Sequence, residues 1–341
     1  MRILVLGGTA FLGRHFVEAT LSRGHALTLF NRGITAPGLF SGAEQIHGNR
    51  DGGLAALSGR TFDAVVDTSG YLPRVVRQST DAFSGATGQY LFVSSISIYA
   101  DVSRIGITEE EATLALSQPD SEDINKDYGA LKFLCEEIVR ERYGERALIV
   151  RPGLIVGPHD RSDRFTYWPH RIAQGGDVLV PGRPDRRIQF IDVRDLAAWM
   201  LRMVEEGRCG TFNADGPEMP CTMGDLMDTC LEVCASGARL HYVPDAFLKQ
   251  QGVGEWLEMP LWVEEKPEVA GFFEVDCSRA IATGLSFRSV PETVRDTLAW
   301  DRGREGYVYE KTGLAAEREQ HLLDAFARNG GSLGGSPITR P

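Results

Sequence analysis

Positive charge is scarce in this chain: 36 Lys and Arg stand against 47 Asp and Glu, a net charge of −11, and only 5 of the cations are lysine. That balance repels a phosphate backbone, and no basic stripe with interleaved aromatics offsets it locally, so nucleic acid is not expected as a partner. Cysteine is sparse too, with 6 residues and no Cys-x-x-Cys pair. Cys230 and Cys234 share one helical face as small apolar residues, and no signal peptide precedes Arg2, so reduced thiols in a cytoplasmic protein are expected. The 7 histidines are scattered, and His159 and His170 merely flank a polar loop, so no metal is predicted. No Gly-x-Ser-x-Gly elbow surrounds Ser94 or Ser95, which argues against a hydrolase triad. Nor is a membrane partner expected.

What is present is an alternation of short apolar runs with helical periodicity. Strands are predicted near 2–6, 26–30, 44–47, 63–67, 90–94 and 147–151, and helices near 14–23, 73–84 and 127–142. That order predicts an α/β fold, a doubly wound parallel sheet. At 341 residues and 43% hydrophobic the chain can bury a large core. The predicted division is a nucleotide-binding domain from 1–150 and 187–215, a smaller substrate-binding lobe from 151–186 and 216–328, and a flexible Gly-rich tail at 329–341. Phe165, Tyr167, Trp168, Trp256 and Trp262 suit substrate contact or simple packing in that lobe. The acidic stretch 100–126 reads as a lid or a solvated loop. A late helix around 315–328 carries Leu322, Leu323 and Phe326 on one side, suited to its own subunit or to a partner, so a homodimer is compatible with it.

The first strand runs into Gly7-Gly8-Thr9-Ala10-Phe11-Leu12-Gly13 and then a helical pattern. Glycines let the backbone approach a pyrophosphate, and the helix start offers unpaired N–H groups and a positive dipole end. The second strand ends in Asn31-Arg32-Gly33 with no carboxylate. An Asp or Glu there would grip a ribose 2′-hydroxyl, whereas an arginine receives a 2′-phosphate, so NADP(H) is favoured over NAD. Arg50, beside Asn49, is the alternative phosphate contact.

Tyr128 and Lys132 stand four apart on a predicted helix and so share one face. With 9 Tyr and 5 Lys, chance produces that spacing roughly 0.1 times in such a chain, so context must decide its meaning. A nearby ammonium favours a phenolate, which is what proton exchange with a carbonyl oxygen requires. Hydroxyls cluster after the apolar run Tyr90–Val93, in Ser94-Ser95-Ile96-Ser97-Ile98-Tyr99, at the sheet edge where α/β proteins place their chemistry.

Over about residues 1–300 these motifs resemble the extended and atypical short-chain dehydrogenase/reductase superfamily, in its epimerase/dehydratase-like branch. The resemblance implies a Rossmann-type domain, with Ser95 as the serine of a Ser-Tyr-Lys triad, Tyr128 as acid/base, and Lys132 as its activator and ribose ligand. It also implies that Arg151-Pro152-Gly153 flanks the nicotinamide, with Pro152 in the cofactor site, and that Gln189–Asp195 returns the chain to the nucleotide domain. The chain departs from the pattern where Ala10 replaces the middle glycine of the first turn, so Ala10 is expected to keep a negative φ. No helical asparagine for a proton relay stands in Pro73–Phe83, and Thr68 or a water would have to substitute. Ile96-Ser97 replace the Asp-Glu pair of the dehydratases, leaving Ser97 to meet substrate. The arginine that clamps a substrate diphosphate aligns with Ile188, with Arg186 and Arg187 beside it.

The expected activity is an NADP(H)-dependent oxidoreductase acting on a carbonyl or carbinol carbon of a polar small molecule. An epimerase that recycles its bound cofactor is the alternative, and a cofactor-sensing or RNA-binding protein without turnover is the reading the intact Ser95/Tyr128/Lys132 set opposes.

Overall fold

A computed structural model describes residues 1–309 and 311–330; the predicted tail falls, from 331 onward, outside the described residues. The apolar runs become parallel strands: β1 Arg2–Leu6, β2 Ala26–Asn31, β3 Glu44–His47, β4 Phe62–Asp67, β5 Thr87–Val93 and β6 Ala147–Pro152. A further strand, Gly210–Ala214, joins them to make a seven-stranded sheet, with the spatial order Gly210–Ala214, β6, β5, β4, β1, β2, β3 and every neighbour parallel. Its threonine and asparagine obscure the hydrophobic run, and so it was not predicted among the strands.

Alternation along β1 explains the two covered faces. Ile3 and Val5 join Leu12, Phe16 and Val17 of helix α1 (Phe11–Ser22) and Leu196 and Met200 of the Val193–Glu205 helix in one core. Leu4 and Leu6 face the other way, toward Val76 and Phe83 of α2 (Pro73–Phe83) and Cys135, Ile138 and Val139 of α3 (Ile124–Tyr143). Strands β1, β2 and β3 run outward one way, and β4 returns beside β1 to start the other half. Such a reversal opens a crevice at the C-terminal strand ends.

The chain forms two compact units. One comprises Met1–Ile155, Phe190–Gly216 and Glu274–Phe287; the other comprises Val156–Gln189, Pro217–Phe273 and the described residues from Arg288 onward. In the first, the acidic insertion is built into the fold. Ala100 N–H reaches the Ala112 carbonyl at 2.9 Å, Leu114 N–H the Ile98 carbonyl at 2.7 Å, and Asp276 N–H the Ile107 carbonyl at 2.9 Å. Ile107 is buried with Ile98, Tyr99 and Val275. The solvated-loop expectation therefore fails for this part of the segment, because its apolar residues find a small core of their own.

In the second unit, strands Asp177–Pro181 and Arg239–Val243 pair in parallel. Phe165, Trp168 and Trp262 are fully buried there and serve packing. The late helix, Ala316–Arg328, docks on its own unit: Leu322 and Leu323 are buried, Phe326 packs on Phe247, and Arg171 fixes Glu319 at 2.6 Å. No described helix is long and apolar enough to cross a membrane.

Candidate active site

The turn after β1 is possible only with glycine. Gly7 and Gly8 take φ of +108° and +94°, which side chains disfavour. A Cβ on Gly7 would meet Thr68 Oγ1 at 2.8 Å, and one on Gly13 would meet the Gly8 backbone at 2.9 Å, so the turn, α1 and the end of β4 share one tight junction. Ala10 keeps the expected negative φ (−131°), in an extended conformation, and begins α1 with no side-chain cap. The positive φ falls instead on Phe11, at +33°, where a side-chain-bearing residue pays roughly 1–2 kcal/mol. A glycine turn at a helix start without a capping side chain suits an anion, as a dinucleotide pyrophosphate requires. Thr9 is half-buried and Leu12 buried within this junction. Thr68 and Ser69 both donate their hydroxyls to the Leu6 carbonyl, at 3.2 and 3.1 Å.

At the end of β2, Asn31 accepts Gly33 N–H at 2.8 Å and so shapes the loop that presents Arg32. Arg32 is exposed and makes no hydrogen bond or ion pair with a described residue. Asn49 is exposed in a turn with Asp51. Arg50 differs: its guanidinium grips Asp67 with two bonds of 2.6 Å and also reaches Ser79 Oγ at 2.9 Å. Asp67 is fully buried and further bonded by Tyr90 hydroxyl at 3.0 Å. Burial pushes the Asp67 carboxyl up, but Arg50 outweighs it and holds the group below its usual range. Arg50, the alternative phosphate contact of the sequence reading, is thus engaged by Asp67 and Ser79. A carboxylate closing the apolar run Ala64-Val65-Val66 was the signal that a buried cation was needed.

Helix α3 carries Tyr128 and Lys132. Asp127 departs from helical geometry (φ −114°, ψ 23°), and its carboxylate accepts Ser117 Oγ at 2.9 Å and Ser121 Oγ, fastening the insertion to the helix just before Tyr128. The next residue, Gly129, lies so close to the strand-end loop that a Cβ there would collide with the Ser97 carbonyl. Ser95 is buried; its Oγ donates to Ser97 Oγ at 3.0 Å and accepts Ser97 N–H at 3.1 Å. Lys132 is 4% exposed, and its Nζ donates to the Gly70 carbonyl at 2.7 Å and the Val93 carbonyl at 2.5 Å. Burial lowers its ammonium to about 8, although Cys135, Asp67 and Glu136 pull the other way. Tyr71 lies beside the pair, with its ring centroid 6.4 Å from that of Tyr128.

Thus the structure gathers Lys132, Tyr128, Ser95 and Ser97 around the ends of β4 and β5, and Gly7, Gly8, Gly13 and Thr68 around the end of β1. Other predicted residues stand elsewhere. Pro152 is buried at the end of β6, level with Ala214. Arg186, a substrate-binding candidate of the sequence reading, is buried in the second unit, paired with Asp245 and bonded to the Val263 carbonyl at 3.3 Å. Arg187 is exposed on a short strand.

A network that sequence reasoning missed stiffens α3. Buried Glu136 accepts both Arg151, at 2.7 Å, and Arg140, at 2.7 Å; Arg151 also donates to Tyr99 hydroxyl at 3.1 Å, which donates to Asn213 at 2.6 Å. Tyr99, one of the clustered hydroxyls, is therefore a buried strut. The buried position of Glu136, one helical turn after Lys132, becomes apparent only once α3 is laid on the sheet.

Comparison with known proteins agrees with this architecture. Residues 74–214 match the model of the NAD dependent epimerase/dehydratase family. Chloroplast stem-loop binding protein of 41 kDa b from Arabidopsis thaliana is 27% identical over 273 residues, covering 72% of this chain and 67% of that protein. An isoflavone reductase homolog from Zea mays is 24% identical over 263 residues, covering 73% and 80%. The crystal structure of UDP-glucuronic acid 4-epimerase from Bacillus cereus in complex with NAD superposes with a TM-score of 0.67 at 15% identity, covering 90% of this chain and 99% of that one. Its all-parallel sheet is the fold of that solved structure, and over residues 74–214 the chain is similar to the NAD dependent epimerase/dehydratase family.

Proposed function

We propose that the protein is an NADP(H)-dependent oxidoreductase that moves a hydride to or from a carbonyl or carbinol carbon of a polar small molecule. One observation carries the reading: Lys132 Nζ bonds the Gly70 and Val93 carbonyls at 2.7 and 2.5 Å, joining the tyrosine helix to the crevice loop and to the strand end that bears Ser95. Gly7, Gly8 and Gly13 with the start of α1 hold the pyrophosphate, and Arg32 receives the 2′-phosphate. When bound, the nicotinamide supplies or accepts the hydride. Tyr128 exchanges the proton of the substrate hydroxyl, with the Lys132 charge favouring the phenolate. Two of the three ammonium protons are spent on carbonyls, and the third is offered to the ribose. Ser95 orients the substrate oxygen, with Ser97 beside it.

The family description supports a second reading, an epimerase that retains its nucleotide through the cycle. Arg32 and the missing carboxylate after β2 tilt the choice toward NADP and a net reductase. The stem-loop binding named for the Arabidopsis relative is not carried over, because a net charge of −11 opposes it.

Gel filtration of purified protein followed by nucleotide analysis separates the two enzyme readings. A reductase releases its nucleotide on dilution; a stoichiometric nucleotide that exchanges more slowly than turnover makes the epimerase reading the better one. Failure of calorimetry to detect either NADPH or NADH binding sinks both.

A further inference from the structure

Three tyrosines lie within β5 or in the loops that follow β4 and β5, and two have their hydroxyls spent: Tyr90 on Asp67 at 3.0 Å and Tyr99 on Asn213 at 2.6 Å. Tyr71, in the crevice loop between β4 and α2, is 45% exposed, and its hydroxyl has no hydrogen-bond partner among the described residues. Its position is nevertheless fixed. The preceding Gly70 gives its carbonyl to Lys132 at 2.7 Å, and a Cβ on Gly70 would meet Phe92 at 2.6 Å and Val76 at 2.8 Å, so only glycine lets the loop sit there. The Lys132 ammonium lies 5.2 Å from the Tyr71 centroid, an attraction that steadies the ring from the protein side. A large aromatic held from below with its hydroxyl unpartnered is a platform, not a core residue.

We propose that Tyr71 is a substrate-binding residue of the Tyr128 site, whose ring stacks on the C–H face of a cyclic, polyhydroxylated carbonyl compound while its hydroxyl bonds a ring substituent. The proposal rests on the oxidoreductase reading and adds the shape of the substrate to it. The chemistry around the ring selects this class: Ser95, Ser97 and Tyr128 supply hydroxyl groups, which suit the rim of a sugar-like or cyclitol-like ring, and Tyr71 supplies the flat apolar surface that such a ring's C–H face covers. A short open-chain ketone can meet the hydroxyls but leaves the platform bare.

The test uses the full-length protein with NADPH and two probes of similar polarity, 2-keto-myo-inositol as the cyclic ketone and dihydroxyacetone as the open-chain one. Expected for the parent is reduction of the cyclic probe with the higher kcat/KM. Tyr71→Ala should raise KM for that probe about 10-fold or more, leave its kcat within about threefold, and leave the NADPH dissociation constant within about twofold. Tyr71→Phe keeps the platform and should lose only a fraction of this affinity. An unchanged KM in Tyr71→Ala, equal losses for both probes, or a parent that does not reduce the cyclic probe overturns the proposal. Turnover of dihydroxyacetone alone that disappears in Tyr128→Phe overturns the role of Tyr71 and leaves the oxidoreductase reading standing, whereas turnover that persists in Tyr128→Phe removes the reading itself.

Discussion

The loop after β2 and the helix that carries Tyr128 treat positive charge in opposite ways. Arg32 is exposed, with no described partner, whereas Lys132 is 4% exposed and bonded to two backbone carbonyls. An exposed arginine contributes little to folding because water screens it, so it is free to be used entirely for a ligand. A buried ammonium must be satisfied by the fold, and in being satisfied it ties α3 to the crevice loop at Gly70 and to the end of β5 at Val93. The charge of one region is engaged by no described residue; that of the other is held within the fold. Changes in the first should therefore alter binding alone, and changes in the second should alter chemistry or stability.

The sharpest test of the region around the Tyr128 helix is Tyr128→Phe, which removes one hydroxyl and keeps the ring. Turnover should fall roughly 10²–10⁴-fold while NADPH affinity, measured by calorimetry, barely moves. Full turnover in that variant would falsify the assignment of Tyr128. Beneath the same region, Asp67→Ala strands Arg50 in a buried site, and the loss of stability should be about 3–5 kcal/mol, read as a lowered urea midpoint. An unaltered midpoint would mean that the pair is dispensable to the fold. Gly129→Ala forces the helix away from the Ser97 carbonyl, and a displacement of that kind costs on the order of 10²-fold in kcat with cofactor affinity kept. If kcat is retained, the close approach of helix and loop does not set the reacting geometry.

In the loop after β2, Arg32→Ala should weaken NADPH by about 10–150-fold, the equivalent of a charge-assisted contact of roughly 1.5–3 kcal/mol, and leave NADH nearly unaffected. Equal affinities of the parent for the two nucleotides would remove the contrast between the regions. The smallest effect is on pH. Because burial depresses the Lys132 ammonium to about 8, its charge is present below that pH and lost above it, unlike a lysine in water. From pH 7 to pH 8 kcat/KM should fall by about twofold, steepening to about tenfold per unit beyond, with no such limb in Lys132→Met. In stability the sign is reversed: the depressed value penalises the folded state below about 8, and that penalty fades as pH rises toward the unfolded value.

The parallel sheet was legible because strands β1, β4 and β5 each write a run of apolar residues that only burial on both faces explains. The glycine turn was legible because Gly7 and Gly8 do locally what no other residue does, and the Ala10 conformation followed from its side chain. The partners of buried charge were not legible. Asp67 at the end of an apolar run calls for a buried cation, but Arg50 lies 17 positions away, as Asp245 lies 59 from Arg186, and neither neighbourhood says which partner is taken. The same holds for the short Gly210–Ala214 strand, which earns its place by registering on β6.

By itself, then, the sequence determined the elements, the doubly wound class, the glycine turn and the Tyr128–Lys132 spacing, because each depends on periodicity or on backbone sterics within a few residues. Only the tertiary structure decided which charges are spent and which remain available, and that Tyr71 stands beside Tyr128. A buried cation takes whichever acceptor the packing of distant segments brings within about 3 Å, and that choice is written in no single stretch of chain.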